Sequence, residues 1–292
     1  MRVIPVIDLM HGQVVRARMG DRASYQPLNS PLSSTSVAVD IARGLLAVYP
    51  FPTLYVADLD AIRNHGDNVQ TLRRICDEFP ALQLWVDNGA TDAGAVAALI
   101  GDDLEHDAIS SNQRRHCERS EAIQGNVERH GTLGSPRRHS PSGRTGVFRR
   151  PTAPRDDDST RRRQPLGTPV IGSESQRDSK LIARHRGSMR IVLSLDFRGD
   201  AFQGPQEILA EPALWPHRII VMTLARVGSG AGPDLARFAA IRSIAGGREI
   251  YAAGGVRDVS DLSVLKAAGA FGALISTALH ERRIVAADLE EM

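Results

Sequence analysis

Cysteine is scarce: two residues in 292, Cys76 and Cys117, too few and too far apart for a disulfide framework or a thiolate metal site. Such usage suits a reducing, cytoplasmic compartment. Aromatic residues make up only 4% of the chain, which argues against a nucleic-acid platform built on base stacking. No apolar run approaches the roughly 18 residues of a membrane span. The apolar start carries Asp8 in its middle and lacks a small-residue cleavage site, so it reads as a strand and not as a signal peptide. The nine histidines show no ligand spacing, and no Ser-His-Asp or Cys-His arrangement emerges. No metal, membrane or nucleic acid is therefore expected.

What remains is ordinary globular composition, 42% apolar and 24% charged, with one anomaly. Residues 105–168 hold 13 arginines and 8 acids, while the rest of the chain has 23 basic and 26 acidic side chains. The formal charge of +2 thus hides a slightly acidic body carrying a basic segment. That segment is rich in Arg, Ser, Pro and Gly and poor in Ile, Leu and Val. It cannot bury enough apolar area to offset its ordering entropy, and it reads as a disordered, low-complexity insertion over 105–167. Within it, Arg115 to Gln124 (RHCERSEAIQ) resembles a decapeptide of translated bacterial intergenic repeat elements. An Arg-rich nucleic-acid arm is the alternative, but it lacks periodicity and interleaved aromatics.

Outside the insertion, short apolar runs bounded by Gly, Asp or Asn alternate with amphipathic stretches. Strands are predicted at 2–8, 53–58, 82–87, 168–172, 190–196, 218–223, 249–253 and 271–276. Helices are predicted over 35–48, 67–78, 92–100, 233–244 and 259–267. The strands are apolar on both faces, as parallel strands covered by helices are. Eight of them alternating with helices predict an α/β fold, a (β/α)8 TIM barrel. A doubly wound open sheet would want a Gly-rich turn after the first strand, where Asp8-Leu9-Met10-His11-Gly12 stands instead.

The chain also repeats itself. Val-Ile-Pro-Val-Ile-Asp8 is matched by Ile-Val-Leu-Ser-Leu-Asp196, and Asp87-Asn88-Gly89 by Ala253-Gly254-Gly255. Asp92, Val96 and Leu99 have the spacing of Asp258, Leu262 and Leu265. The register then breaks: Gly255 to Ile275 is 20 residues, whereas Gly89 to Ile171 is 82. The difference of 62 measures the insertion, and removing it leaves 230 residues, an ordinary barrel length. The domains expected are a first half-barrel over 1–104, the insertion over 105–167, and the completing half over 168–292.

Asp8 and Asp196 each close an apolar strand at equivalent repeat positions, where an unpaired carboxylate inside the core would be costly. At the C-terminal ends of strands one and five they would face one another across the barrel mouth, as an acid–base pair with split pKa values. Gly254-Gly255 after the seventh strand and Ser276-Thr277 after the eighth suit a phosphate, bound through close backbone approach. The first-half counterpart is Gly89 with Gly172 and Ser173, although Asp87 and Glu174 bring negative charge there. Arg226 and the glycines to Gly232 follow Thr223, either as a substrate-covering loop or as a linker to the helix at Pro233. Gly12 to Asp21 reads as a hairpin after the first strand. A phosphorylated small molecule is the expected ligand, and a monomer is compatible with the pattern.

Together these residues resemble the paired half-barrel enzymes of histidine biosynthesis, the HisA/HisF family. Val3-Ile4-Pro5-Val6-Ile7-Asp8-Leu9 with Gly12, Val14-Val15-Arg16 and Gly20-Asp21 looks like the isomerase branch. Leu54 to Asp60 and Ala253-Gly254-Gly255-Val256 also match, over the whole chain except the insertion. The resemblance implies an Amadori aldose–ketose rearrangement of phosphoribosylformimino-aminoimidazole carboxamide ribotide, without a cofactor. It makes Asp8 the base at the sugar C2, Asp196 the acid for ring opening, and Thr223 a group positioning the sugar. Two motifs depart: the family's Gly-Gly-Gly is Asp87-Asn88-Gly89 here, and the motif after Thr223 lacks its acid and is one residue shorter. These departures resemble a divergent related group whose members serve pterin-type (methanopterin) one-carbon cofactor synthesis. An inactive barrel with a binding role is the third alternative.

Overall fold

The structure, a computed structural model, describes residues 1–17, 21, 25–101 and 165–292. Met1–Gly101 and Gln164–Met292 form one compact unit. Of the insertion reading only residues 165–167 are described; 105–164, with Cys117 and His106, His116, His130 and His139, fall outside the described residues. So do Arg18, Met19 and Gly20 of the predicted hairpin.

Among the described residues ten strands form, in chain order: β1 (Arg2–Met10), β2 (Gln13–Val15), β3 (Thr53–Asp58), β4 (Gln83–Asp87), β5 (Thr168–Gly172), β6 (Val192–Arg198), β7 (Ala201–Gln203), β8 (Arg218–Thr223), β9 (Glu249–Ala253) and β10 (Gly272–Ile275). Eight pair in parallel in the order β1-β3-β4-β5-β6-β8-β9-β10, and β10 returns to β1, with Arg2 opposite Gly272 and Pro5 opposite Ile275. The sheet is therefore closed, which makes this a (β/α)8 barrel and rules out the open doubly wound sheet. The two remaining strands are short antiparallel additions. β2 places Val15 opposite Asp8, and β7 places Gln203 opposite Asp196, so both halves fold back over the same seven-residue span. The second of these hairpins extends the repeat beyond what the sequence pattern suggested.

Helices Ala38–Val48, Val69–Glu78, Ala93–Ile100, Leu235–Ile244 and Val259–Ala267 occupy the predicted stretches. Their starts are chemically marked. Asp92 accepts from the N–H groups of Gly94 and Ala95, and Asp258 accepts from those of Ser260 and Asp261, so the repeat carries the same N-cap twice. Pro233 stands just ahead of the cap Asp234 rather than inside its helix. Shorter helices at Lys180–Arg184 and Gln206–Ala210 went unread in the sequence, being too brief for a 3.6-residue period to show.

Alternation along each strand sorts residues between two cores. Outward residues such as Ile7, Val56, Val86, Ile171, Leu193 and Ile219 pack under the helices. Inward residues, among them Ile4, Tyr55, Trp85, Val170, Val192, Ile220 and Tyr251, fill the barrel. Trp85 and Tyr251, equivalent in the repeat, meet edge to face with ring centroids 5.0 Å apart. The same period of two then carries Asp8, Asp87 and Asp196 to the next inward positions above this aromatic layer. On the other side of the sheet, the Leu99 carbonyl accepts from the N–H groups of Leu166 and Gly167 at 2.8 and 3.2 Å, so the chain returns to the place it left.

Candidate active site

A cavity of about 350 Å³ opens at the C-terminal ends of the strands, within the ordinary size range of small-molecule sites. Asp8, Asp196, Arg226, Gly254, Gly255, Ser276 and Thr277 line it, as do Asp87 and Glu174. Thr223, Gly89, Gly172 and Ser173 are not among the lining residues. Thr223 is buried at the end of β8 between Met222 and Leu224, which do face the cavity. The other three sit behind the surface and shape it.

Asp196 is the most buried acid lining the cavity. It is 5% exposed, and each oxygen is held. Oδ1 accepts from the Ser194 hydroxyl at 2.7 Å; Oδ2 accepts from the Ser173 hydroxyl at 3.2 Å and the Glu174 N–H at 3.1 Å. Ser173 also accepts from the Asp196 N–H at 2.9 Å, clamping β5 to β6. Burial pushes the Asp196 carboxyl up to about 7. The charges of Glu174 and Asp87 add to the rise, while the Ser194 hydroxyl and Glu174 N–H oppose it. Asp196 is thus poised to hold and release a proton near neutrality. Asp8, half-buried, closes the equivalent turn of β1.

Tyr55 ties these acids together and was missed in the sequence, although alternation along Thr53–Asp58 turns it inward. Its hydroxyl donates to Asp87 Oδ2 at 3.2 Å. Burial, then the charges of Asp87, Asp196 and Asp8, hold the phenol well above its ordinary pKa, so it stays a donor. Asp87 Oδ1 accepts from the Gly89 N–H at 3.0 Å. Gly172 makes room for this assembly: a Cβ there would stand 3.4 Å from both Asp196 Oδ2 and Asp87 Oδ2.

The second-half loops are packed backbone to backbone. Gly254, at φ +96°, would place a Cβ 2.6 Å from the Thr223 carbonyl oxygen, and Gly255, at φ +90°, would drive one into the Gly232 carbonyl. Arg226 Nη1 donates to the Ala231 carbonyl at 2.9 Å, stapling the glycine loop that its own strand leads into. Arg257 and Arg283, also at the rim, are paired with Asp261 and Glu281. Among the described residues, no three His, Cys, Asp or Glu side chains gather as metal ligands would.

Fold and site together define a two-fold (β/α)8 barrel whose mouth is a carboxylate-lined pocket. The chain belongs to the histidine biosynthesis protein family, whose model matches residues 2–132 and 166–285. Two full-length relatives are imidazole-4-carboxamide isomerases named for a substrate with one phosphoribosyl and one phosphoribosylamino group. That of Stenotrophomonas maltophilia is 24% identical over 97% of this chain and 95% of its own length. That of Thermus thermophilus is 26% identical over 97% and 96%. An uncharacterised protein of Methanocaldococcus jannaschii is 35% identical over 75 residues, 26% of this chain and 33% of that protein. No helix among the described residues is long and apolar enough to cross a membrane.

Proposed function

We propose that this protein is an aldose–ketose isomerase acting on a phosphorylated aminosugar, with Asp8 as general base and Asp196 as general acid. One observation carries the reading: a buried carboxyl with a pKa of about 7 lines the same barrel mouth as a second carboxyl at the repeat-equivalent position. Near neutral pH the Asp196 carboxyl can carry the proton that ring opening needs, with Asp8 lining the same mouth as the second carboxyl.

The reaction balances without an outside reagent. Asp196 gives its proton to the furanose ring oxygen as the C1–O bond breaks, and the substrate nitrogen forms an iminium at C1. Asp8 takes the C2 proton, leaving an enaminol. Asp8 returns that proton to C1, and the 2-hydroxyl proton passes back to Asp196 as the C2 ketone forms. The phosphate of the substrate would lie on Gly254, Gly255, Ser276 and Thr277. The backbone N–H groups of Gly255 and Thr277 donate to no acceptor among the described residues. Ser173 and Ser194 position Asp196, Gly89 donates its N–H to Asp87, and Gly172 leaves room for both acids.

Asp8→Asn should lower kcat by about 10²- to 10⁴-fold, the usual weight of a positioned acid or base. Complementation of an isomerase-deficient histidine auxotroph gives a direct comparison. Growth supported equally by the wild-type chain and by Asp8→Asn would refute the two-carboxylate mechanism. Failure of both would move the reading to another phosphorylated intermediate.

A further inference from the structure

We infer that Asn68 and Arg237 are positioning residues for Asp8 and Asp196, each latching the hairpin behind its acid onto the start of a neighbouring helix. The inference rests on the isomerase reading for what the two acids do. Asp8 and Asp196 each hold the paired position farthest from the turn of such a hairpin, opposite Val15 and Gln203. The added strands β2 and β7 have three residues each, and hairpins this short are marginal on their own. Neither Asn68 nor Arg237 lines the cavity, so each acts through the backbone it holds.

The first latch displaces a helix cap. Asn68 stands at the N-cap of Val69–Glu78, where its side chain would ordinarily accept from the first turn, yet it makes no such bond. Its Oδ1 instead accepts from the Gly12 N–H at 3.0 Å, and its Nδ2 donates to Asp58 Oδ1 at 2.7 Å and Asp60 Oδ2 at 2.8 Å. Asp60 Oδ2 also takes the His11 N–H at 2.6 Å. His11 and Gly12 form the turn, with φ +52° and +75°, a left-handed pair in which any residue but glycine is uncommon. Asn68, Asp58 and Asp60 are buried, which strengthens the bonds among them. The second latch uses other chemistry at the matching helix of the repeat. Asp234 caps Leu235–Ile244, and Arg237 in its first turn reaches the turn between β6 and β7. Arg237 Nη2 donates to the Gly199 carbonyl at 3.1 Å. Its guanidinium lies 4.3 Å from the ring centroid of Phe197, the residue after Asp196. Its pairing with the exposed Asp200 adds little. A carboxamide on an N–H in one half and a guanidinium on a carbonyl in the other thus hold the equivalent turn.

The full chain, Asn68→Ser and Arg237→Met are assayed on the phosphoribosylamino substrate for which the full-length relatives are named. Serine restores an ordinary cap but cannot span Gly12 and both aspartates; methionine keeps an apolar stem and drops the guanidinium. Each variant should lower kcat about ten- to a hundredfold with KM within about threefold, the signature of a displaced acid or base. Asp92→Ala, a cap variant away from the cavity, is the stability control and should keep the wild-type kcat. Amide hydrogen exchange gives a readout free of activity. It should be about tenfold faster over residues 10–15 in Asn68→Ser and over 198–203 in Arg237→Met, each leaving the other hairpin at the wild-type rate. Asn68→Ala and Arg237→Gln stand in for a variant that does not fold. Unchanged exchange in both hairpins, a kcat loss no larger than that of Asp92→Ala, or a rise in KM alone would overturn the inference. A wild type that does not turn over this substrate, with the exchange pattern intact, would instead remove the isomerase reading and the positioning role with it.

Discussion

Asp196 and His280 pull the pH dependence of stability in opposite directions. Asp196 titrates at about 7 in the folded chain against an ordinary 3.8, so its stabilising contribution is whole below about 4 and lost as pH rises through 7. His280 is 1% exposed with Nδ1 3.0 Å from the Ser30 hydroxyl, and burial lowers it to about 4. Its contribution is whole above 6.5 and lost as pH falls through about 4. Between roughly pH 4 and 6.5 the two slopes offset. Relative to wild type, Asp196→Asn should gain stability from pH 4 to 7, by about 4 kcal/mol at most, and His280→Gln should decline by about 3 kcal/mol from pH 4 to 6.5. Urea midpoints at pH 4.5 and 7.5 read this directly; parallel shifts at both pH values would contradict it. Asp8 and Asp196 were legible in the sequence because an acid closing an apolar strand conflicts with burial. Ser173 stood out only as part of the first-half phosphate loop, and Ser194 and Tyr55 did not stand out at all. Their roles are fixed by groups brought near by the closed sheet, and a serine or tyrosine on a strand carries no such conflict.

Among elements, the paired caps give the cleanest comparison. Asp92 and Asp258 each accept two N–H groups at a helix start, and neither lines the cavity. Asp92→Ala and Asp258→Ala should each cost about 1 kcal/mol, and the double variant about 2, since distant sites add. Thermal or denaturant unfolding measures this, with kcat/KM expected to stay at the wild-type value. A double variant much worse than the sum would mean that the two helices are coupled through the barrel. The strands were readable because each is a bounded apolar run of at least four residues, and the long helices because their periodicity persists. β7 was hidden: Ala201-Phe202-Gln203 has no alternation to betray it, and it exists because β6 offers an edge beyond the barrel. The caps themselves were visible only as matched spacing, without their hydrogen bonds.

For the whole molecule, the repeat gave the length of the missing register, and the fold supplies its junction. Leu99 receives both Leu166 and Gly167, so the residues on either side of 102–164 are already joined by backbone hydrogen bonds. Loop-closure entropy grows slowly with length, so a long excursion from such a point costs the barrel little. We propose that limited trypsin treatment cuts first among the 13 arginines of 105–168, with the flanking pieces eluting together at unchanged far-ultraviolet circular dichroism. First cleavage between β6 and β8 would count against this division of the chain. The pieces would be held by two parallel seams, β4 against β5 from Trp85 opposite Thr168, and β10 against β1 from Gly272 opposite Arg2. The Leu99 clasp therefore has a genetic consequence. We predict that covalent continuity at this point is dispensable, so that two separately translated polypeptides, ending and restarting there, assemble as a heterodimer, with Asp8 supplied by one gene product and Asp196 by the other.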